Sequence, residues 1–290
     1  MPRCGTTYTL DLLALHPDCS QAAPYLEDLL LVDAHHLADY TAALCERWQR
    51  LWNVSNNVRF ALMKSMGNAL VEVLGEHVTA PRVLTKSPTV ANLHLFFELF
   101  PAAKLVIVVR DGRSILASSM RSFDTPFDEG LQRWAKAART IQQFMNTTNP
   151  DRYLLVKYEN LFLQPTQVMT QMLEYLQLDA ERYPFDAVGQ VPVRGSCESR
   201  APDGSVNWDP VARSNDFNPL DRWRELTAQQ LEQFEWWAGS RLREFGYPLR
   251  TNANRPVTRA RCWLSYRRQR LWHRIAKQMP AGLHGTFKAS

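Results

Sequence analysis

The stretch KLVIVV (104–109) is a continuous apolar run, the pattern of a strand buried on both faces. RVLTK (82–86) is short and β-branched at its centre. Between them TVANLHLFFELF carries helical apolar spacing, and Pro101 ends it. Strand, helix and strand in that order predict a βαβ unit, hence an α/β fold with a parallel sheet. GRSILASSMRSF restarts a helix directly behind the second strand, and DEGLQRWAKAARTIQQFMNTT reads as a long amphipathic helix. RYLLVKY (152–158) predicts a further buried strand, and PTQVMTQMLEYLQL a helix with Pro165 near its first turn. Upstream, TTYTLDLLALHP predicts a helix that stops before Pro17. YLEDLLLVDAHHLADYTAALCERWQRLW and VRFALMKSMGNALVEVLGEH predict two more. TAQQLEQFEWWAGSRLREFGYPL predicts a helix with Thr227 as N-cap and Gly246 at its end. Residues 186–222, rich in Gly, Pro, Ser, Asn and Asp, form the longest irregular stretch, a position suited to a lid or binding segment.

Composition adds limits rather than elements. The chain has 290 residues, enough for one large domain or two small ones, and 45% are apolar, enough for a sizeable core. Its nine Trp, nine Tyr and 13 Phe argue against disorder. The formal charge of +5 is unevenly spread: residues 250–290 hold ten Arg or Lys and no Asp or Glu, which leaves 24 basic against 29 acidic residues before them. We therefore expect a main domain at 1–249 and a basic, helical tail at 250–290. That tail either folds back on the acidic body or contacts an acidic partner or a membrane surface; nucleic acid is the less favoured partner. The five cysteines are odd in number and have no metal-ligand or CxxC spacing, which suits a reducing, cytoplasmic setting. No apolar run reaches the roughly 18 residues of a membrane span.

Three segments carry chemistry. In PRCGTT (2–7) a turn opens directly into a helix, so the amides of Gly5, Thr6 and Thr7 face whatever anion occupies the loop, and Arg3 adds a guanidinium fork. The loop is shorter than GxxxxGK[ST] and lacks its lysine, so it suits a monophosphate-sized group better than a magnesium-bound triphosphate. In VVRDGRSILASSM, Arg110 ends a strand, and Ser118 or Ser119 lies two turns into the following helix, where a second anion could be held. In LTKSP, Lys86 ends the other strand and is a candidate for stabilising charge on a leaving group. No metal constellation is present, so Lys and Arg would supply the cations. Two anion sites on one sheet edge suggest a nucleotide phosphorylated at two positions.

On these residues the chain resembles the sulfotransferase superfamily that uses 3′-phosphoadenosine-5′-phosphosulfate (PAPS), and most of all its bacterial and tyrosylprotein branches. PRCGTT matches the family's 5′-phosphosulfate loop, with Cys4 in a serine's place. Arg110 and Ser118 match the spacing of its 3′-phosphate motif. KSP resembles the element whose lysine contacts the transferring group, VKYENL its strand-end tyrosine motif, and RWRELTAQQL its C-terminal helix. The resemblance covers residues 1–249.

What it implies is a three-layer α/β/α fold of the P-loop type around a central parallel sheet, and in-line transfer of a sulfuryl group to a hydroxyl or amine. The acceptor could be a carbohydrate, a lipid headgroup, a peptide or a small metabolite. Arg3, Lys86 and the loop amides would stabilise charge on the bridging oxygen, and Thr6 and Thr7 would bind the 5′-phosphate. Arg110, Ser118 and Tyr158 would bind the 3′ end. Glu27, in APYLED, is the nearest match to the tyrosylprotein branch's base, since Pro88 stands where cytosolic relatives carry a histidine. Ser214 and Arg222 are carried over from a comparable segment of that branch. Relatives also place a strand before the loop, so the first, central strand is expected to be absent from this chain. Two alternatives stay open: a catalytically impaired nucleotide-binding protein of the same fold, and a P-loop kinase.

Overall fold

The computed structural model describes residues 3–25, 27–55, 57–193 and 218–251, with Ala260, Trp263 and Leu264. The chain divides into two compact units, Met1–Glu225 and Leu226–Ser290. The helix expected in the basic tail lies almost entirely outside the described residues.

In the first unit, helix α1 (Thr6–Leu13) leads to strand β1 (Cys19–Gln21), and helices α2 (Ala34–Trp52) and α3 (Asn57–Gly75) precede strand β2 (Arg82–Leu84). After the short helix α4 (Phe96–Leu99) come strand β3 (Leu105–Val109) and helices α5 (Gly112–Phe123) and α6 (Phe127–Thr147). Strand β4 (Tyr153–Lys157) is followed by helices α7 (Tyr158–Leu163) and α8 (Pro165–Leu176).

The strands pair in parallel as expected, but with different neighbours. β1 pairs with β2, and β3 with β4, in two separate two-stranded sheets. Thus the two strands of the expected βαβ unit are not hydrogen-bonded to each other among the described residues. β1 is only Cys-Ser-Gln, too short and too polar for its pattern to announce a strand. The apolar run of β3 does become its buried centre: Ile107, Val108 and Val109 are all buried. α6 turns Leu131, Trp134, Ala138 and Ile141 inward at helical spacing, and α8 contributes Met169, Met172 and Leu173.

Two expected helices are shorter than their periodicity. The one drawn through Tyr25–Trp52 starts only at Ala34. Ahead of it the Asp28 carboxylate accepts the Leu30 amide at 3.1 Å, Leu29 has φ 49°, and Asn92 Nδ2 donates to the carbonyls of Leu31 and Val32 at 2.9 and 3.0 Å. Side chains that satisfy the backbone locally remove the need for a helix. Asn92 itself has φ 50°, and the segment expected to be one helix before Pro101 is a 3-10 turn followed by α4.

In the second unit α9 (Ala228–Glu244) carries the expected Thr227 cap, reinforced by a reciprocal bond from Gln230, and Gly246 ends it at φ 73°. Glu235 then accepts the amides of Arg250 and Thr251, both at 2.8 Å, which folds the following chain back along the helix.

Close approach of α3 to α4 depends on Gly67. A Cβ there would lie 1.9 Å from the Leu99 carbonyl oxygen, which belongs to backbone and cannot swing away. Gly67→Ala is expected to lower the unfolding free energy by about 1–3 kcal/mol in urea titration, despite alanine's better helix propensity. An unchanged or raised midpoint would mean that the two helices separate freely.

Candidate functional site

The site begins with the turn at residues 3–5. Gly5 has φ 92°, a left-handed conformation that a side chain strains. A Cβ on Gly5 would also lie 2.2 Å from the Tyr158 ring. Glycine is therefore required twice over, by backbone angle and by contact. Thr9 ties its amide (3.0 Å) and its hydroxyl (3.1 Å) to the Gly5 carbonyl, which fixes the turn on α1. Cys4 is fully buried, and Thr6 and Thr7 form the first turn of α1, where amides lack intrahelical acceptors.

Strand register supplies the next two residues. Val109 pairs with Lys157, so Arg110 and Tyr158 leave their strands side by side. The Arg110 guanidinium lies 4.6 Å from the Tyr158 ring centroid. Arg110 Nη1 donates to the Arg3 carbonyl at 2.9 Å, and its Nη2 donates to the Pro219 carbonyl. The strand end and the glycine turn are thus joined by a direct bond.

α5 supplies the hydroxyls. Arg3 turns out of its loop at φ 66° and donates Nε to Ser118 Oγ and Nη2 to Ser122 Oγ, both at 3.1 Å. Arg222 Nη1 donates to the same Ser118 Oγ at 3.1 Å, and Ser114 Oγ donates to the Leu220 carbonyl at 2.9 Å. The segment Pro219–Arg222 is therefore bonded along one face of α5. Sequence reasoning assigns Arg3 to its own loop; its guanidinium reaches across to the helix instead. Arg110, expected to share an anion with Ser118, is linked to that hydroxyl through Arg3.

The electrostatics are one-sided. Arg3 and Arg110 have no carboxylate partner among the described residues. Burial, with the charges of Arg222, Arg110 and Arg121 added, pushes Arg3 down to about 10. Burial, Arg121 and Arg110 push Arg222 down to about 10 as well, with Glu225 acting in the opposite direction. Both stay protonated at neutral pH, so the folded chain carries their repulsion. Burial raises the Tyr158 phenol although Arg110 pulls it down, and the Tyr158 hydroxyl and Arg110 Nε are buried without a hydrogen-bond partner. Cations shut away from water and open donors together favour an anion with several oxygens.

Glu27 and Lys86 form a second, separate feature. Lys86 Nζ is 2.7 Å from Glu27 Oε1, with 12% of the lysine side chain and 39% of the glutamate side chain exposed. The Asp28 amide donates to the Lys86 carbonyl at 3.0 Å, and Thr85 Oγ1 donates to Asp28 Oδ2 at 2.8 Å. Ser87 Oγ, next in sequence, is buried without a partner. No hydrogen bond or ion pair joins these residues to the arginine cluster among the described residues. Glu27 lies in a loop rather than on the expected helix. Ser214 lies outside the described residues. Asp33, His35 and His36, exposed where α2 begins, have ligand atoms within 4.8 Å of one another, the one group with metal-ligand proximity among the described residues.

Sequence reasoning missed Arg121 and Ser122. Their signal was present: positions 114, 118, 121 and 122 share one helix face at i, i+4, i+7 and i+8.

The model of the sulfotransferase family matches residues 1–182. A protein-tyrosine sulfotransferase of Drosophila melanogaster is 28% identical over 189 residues, 61% of this chain and 37% of that protein. Protein-tyrosine sulfotransferase A of Caenorhabditis elegans is 26% identical over 191 residues, 61% of this chain and 48% of that protein. The chain thus spans about half, or less, of these relatives. Among solved structures, the sulfotransferase domain of the Synechococcus PCC 7002 olefin synthase aligns with TM-score 0.52 at 21% identity, covering 86% of this chain and 92% of that one. The sulfotransferase domain from the curacin biosynthetic pathway aligns with TM-score 0.51 at 21% identity, covering 86% and 95%. These two likenesses concern the fold, which agrees with α/β architecture built on parallel strands. With more than half of its length matched by the family model, and with a glycine turn, strand-end arginine and helix serine in one cluster, the chain belongs to the sulfotransferase family.

Proposed function

We propose that this chain moves the sulfuryl group of PAPS to a hydroxyl acceptor and releases adenosine 3′,5′-bisphosphate, and that the acceptor is the phenol of a tyrosine in a polypeptide. Family membership supports sulfotransfer, and the names of the relatives support tyrosine over a carbohydrate, a lipid headgroup or a small metabolite. The observation that carries the reading is the buried arginine cluster that links the Gly5 turn to Ser118.

The residues present fit such a nucleotide. Arg110 and Tyr158 hold open donors, and the Gly5 turn is a cradle that a Cβ would fill. PAPS would supply an activated sulfuryl group on a phosphate leaving group. Amides of Gly5, Thr6 and Thr7 would hold the 5′-phosphate, with the N-terminal dipole of α1 behind them. Arg110, Arg222 and Ser118 would hold the 3′-phosphate. Tyr158, packed against both Gly5 and Arg110, keeps the two ends at a fixed spacing. The Lys86 ammonium would neutralise charge growing on the bridging oxygen. The Glu27 carboxylate, oriented by Lys86, would accept the proton of the attacking hydroxyl.

A second reading, a nucleotide-binding protein without turnover, draws on one observation: no bond ties Glu27 and Lys86 to the cluster. Binding and turnover separate the two. Wild-type protein is expected to bind adenosine 3′,5′-bisphosphate in isothermal titration, and to transfer radiolabel from PAPS to a tyrosine-containing peptide. Binding without transfer to any acceptor hydroxyl would favour the second reading; no binding would overturn both.

Glu27→Gln is expected to lower kcat by about 10²–10⁴-fold while leaving nucleotide affinity unchanged. Equal turnover by the variant would remove Glu27 from the reaction. Gly5→Ala is expected to abolish nucleotide binding, because the new methyl must displace the Tyr158 ring or the turn; retained affinity in titration would show that the turn does not hold the phosphate.

A further inference from the structure

Arg121 lies on the same face of α5 as Ser118 and Ser122, one helical turn beyond Ser118. Its Nη1 donates to Glu225 Oε1 at 3.3 Å, a long bond to a carboxylate that is 42% exposed. Its Nε and Nη2 are shut off from water and have no hydrogen-bond partner. Those two nitrogens form one side of the guanidinium fork, the side that takes two oxygens at once. The same side of Arg113, on the same helix, shows the satisfied state: Nε donates to Asp111 Oδ1 at 2.9 Å and Nη2 to Asp111 Oδ2 at 2.7 Å. In Arg121 the equivalent pair of donors is buried and has no partner, while the side chain as a whole is 31% exposed.

Other candidates are weaker. Asp33, His35 and His36 are exposed at a helix start with nothing to show an ion. The exposed apolar residues of α2 and α3, including Tyr40, Trp52 and Phe60, have nothing to show what covers them.

We propose that Arg121 is a direct ligand of the 3′-phosphate and a determinant of selectivity for it, an inference that rests on the nucleotide reading above. An open bidentate edge fits a phosphomonoester, whose terminal oxygens accept two parallel N–H bonds. A 3′-hydroxyl offers a single oxygen and no charge, so it cannot replace the phosphate on this edge. The surrounding charges agree: Arg121 is among the cations that depress Arg3, and it is the foremost charge acting on Arg222. A dianion in contact with Arg121, Arg110 and Arg222 would relieve that repulsion at once. Glu225 competes for Arg121 from the solvent side, and so weakens the grip on the phosphate.

The test compares two ligands by isothermal titration: adenosine 3′,5′-bisphosphate and adenosine 5′-monophosphate, which lacks the 3′-phosphate. Arg121→Met keeps the length of the side chain and removes its donors. It is expected to weaken the bisphosphate at least tenfold while changing the monophosphate less than twofold. Arg121→Lys, which retains charge but not the fork, is expected to recover only part of the loss. Glu225→Gln is expected to tighten the bisphosphate severalfold. If Arg121→Met weakens both ligands equally, or neither, the inference fails while wild-type bisphosphate binding still upholds the nucleotide reading. If wild-type protein binds no bisphosphate, both fail together.

Discussion

A guanidinium taken out of water without a carboxylate beside it is unstable, and this chain sets two, Arg3 and Arg110, at one place. Arg110 and Arg222 are almost wholly buried, and neither Arg3 nor Arg110 has an acidic partner among the described residues. What holds Arg3 and Arg110 is a set of neutral acceptors: two serine hydroxyls, the carbonyls of Arg3 and Pro219, and the face of Tyr158. Hydroxyls and carbonyls orient the guanidinium groups but do not neutralise them. Loss of a paired anion from a buried charge typically costs several kcal/mol. The fold therefore holds a standing preference for an anion at this point. Elsewhere the chain treats buried arginine differently: Arg113 is fully buried and closed on Asp111. The contrast separates an arginine closed on a carboxylate from two held by neutral acceptors.

Geometry explains how residues over a hundred positions apart meet. Parallel pairing of β3 with β4 sets Arg110 beside Tyr158. The absence of a side chain on Gly5 lets the first turn of the described chain press against the tyrosine ring. α5 starts immediately after β3, capped by Asp111, and so carries Ser118 and Ser122 back over the same strand end. The segment Pro219–Arg222 closes on this helix through Ser114 and Ser118. Four elements thus converge because two short connections, 109–112 and 157–158, leave no slack.

Much of this was legible in the residues. The apolar run of β3, the turn at Gly5, and Arg110 and Ser118 at eightfold spacing follow from periodicity and motif alone. The α6 and α9 helices stand where their patterns put them. Sequence could not show the partners of the strands, because pairing is a long-range choice and β1 has only three residues. Nor could it show that Asn92 captures the carbonyls of Leu31 and Val32, since those contacts span 61 and 60 residues; the Asp28 bond to the Leu30 amide is local. Arg121 was readable from its spacing to Ser114 and Ser118 on the predicted helix. The direction of the Arg3 side chain was not readable at all, because it follows from a left-handed backbone at a non-glycine residue.

Arg3 and Arg222 meet at the Ser118 hydroxyl, and the proposed function puts the 3′-phosphate at that shared acceptor. A crystal structure with adenosine 3′,5′-bisphosphate tests this most directly. The expected result is a 3′-phosphate in contact with Arg110, Arg222 and Ser118, with the 5′-phosphate on the Gly5 turn. A nucleotide bound elsewhere, with Arg3 and Arg222 still on Ser118, would contradict it.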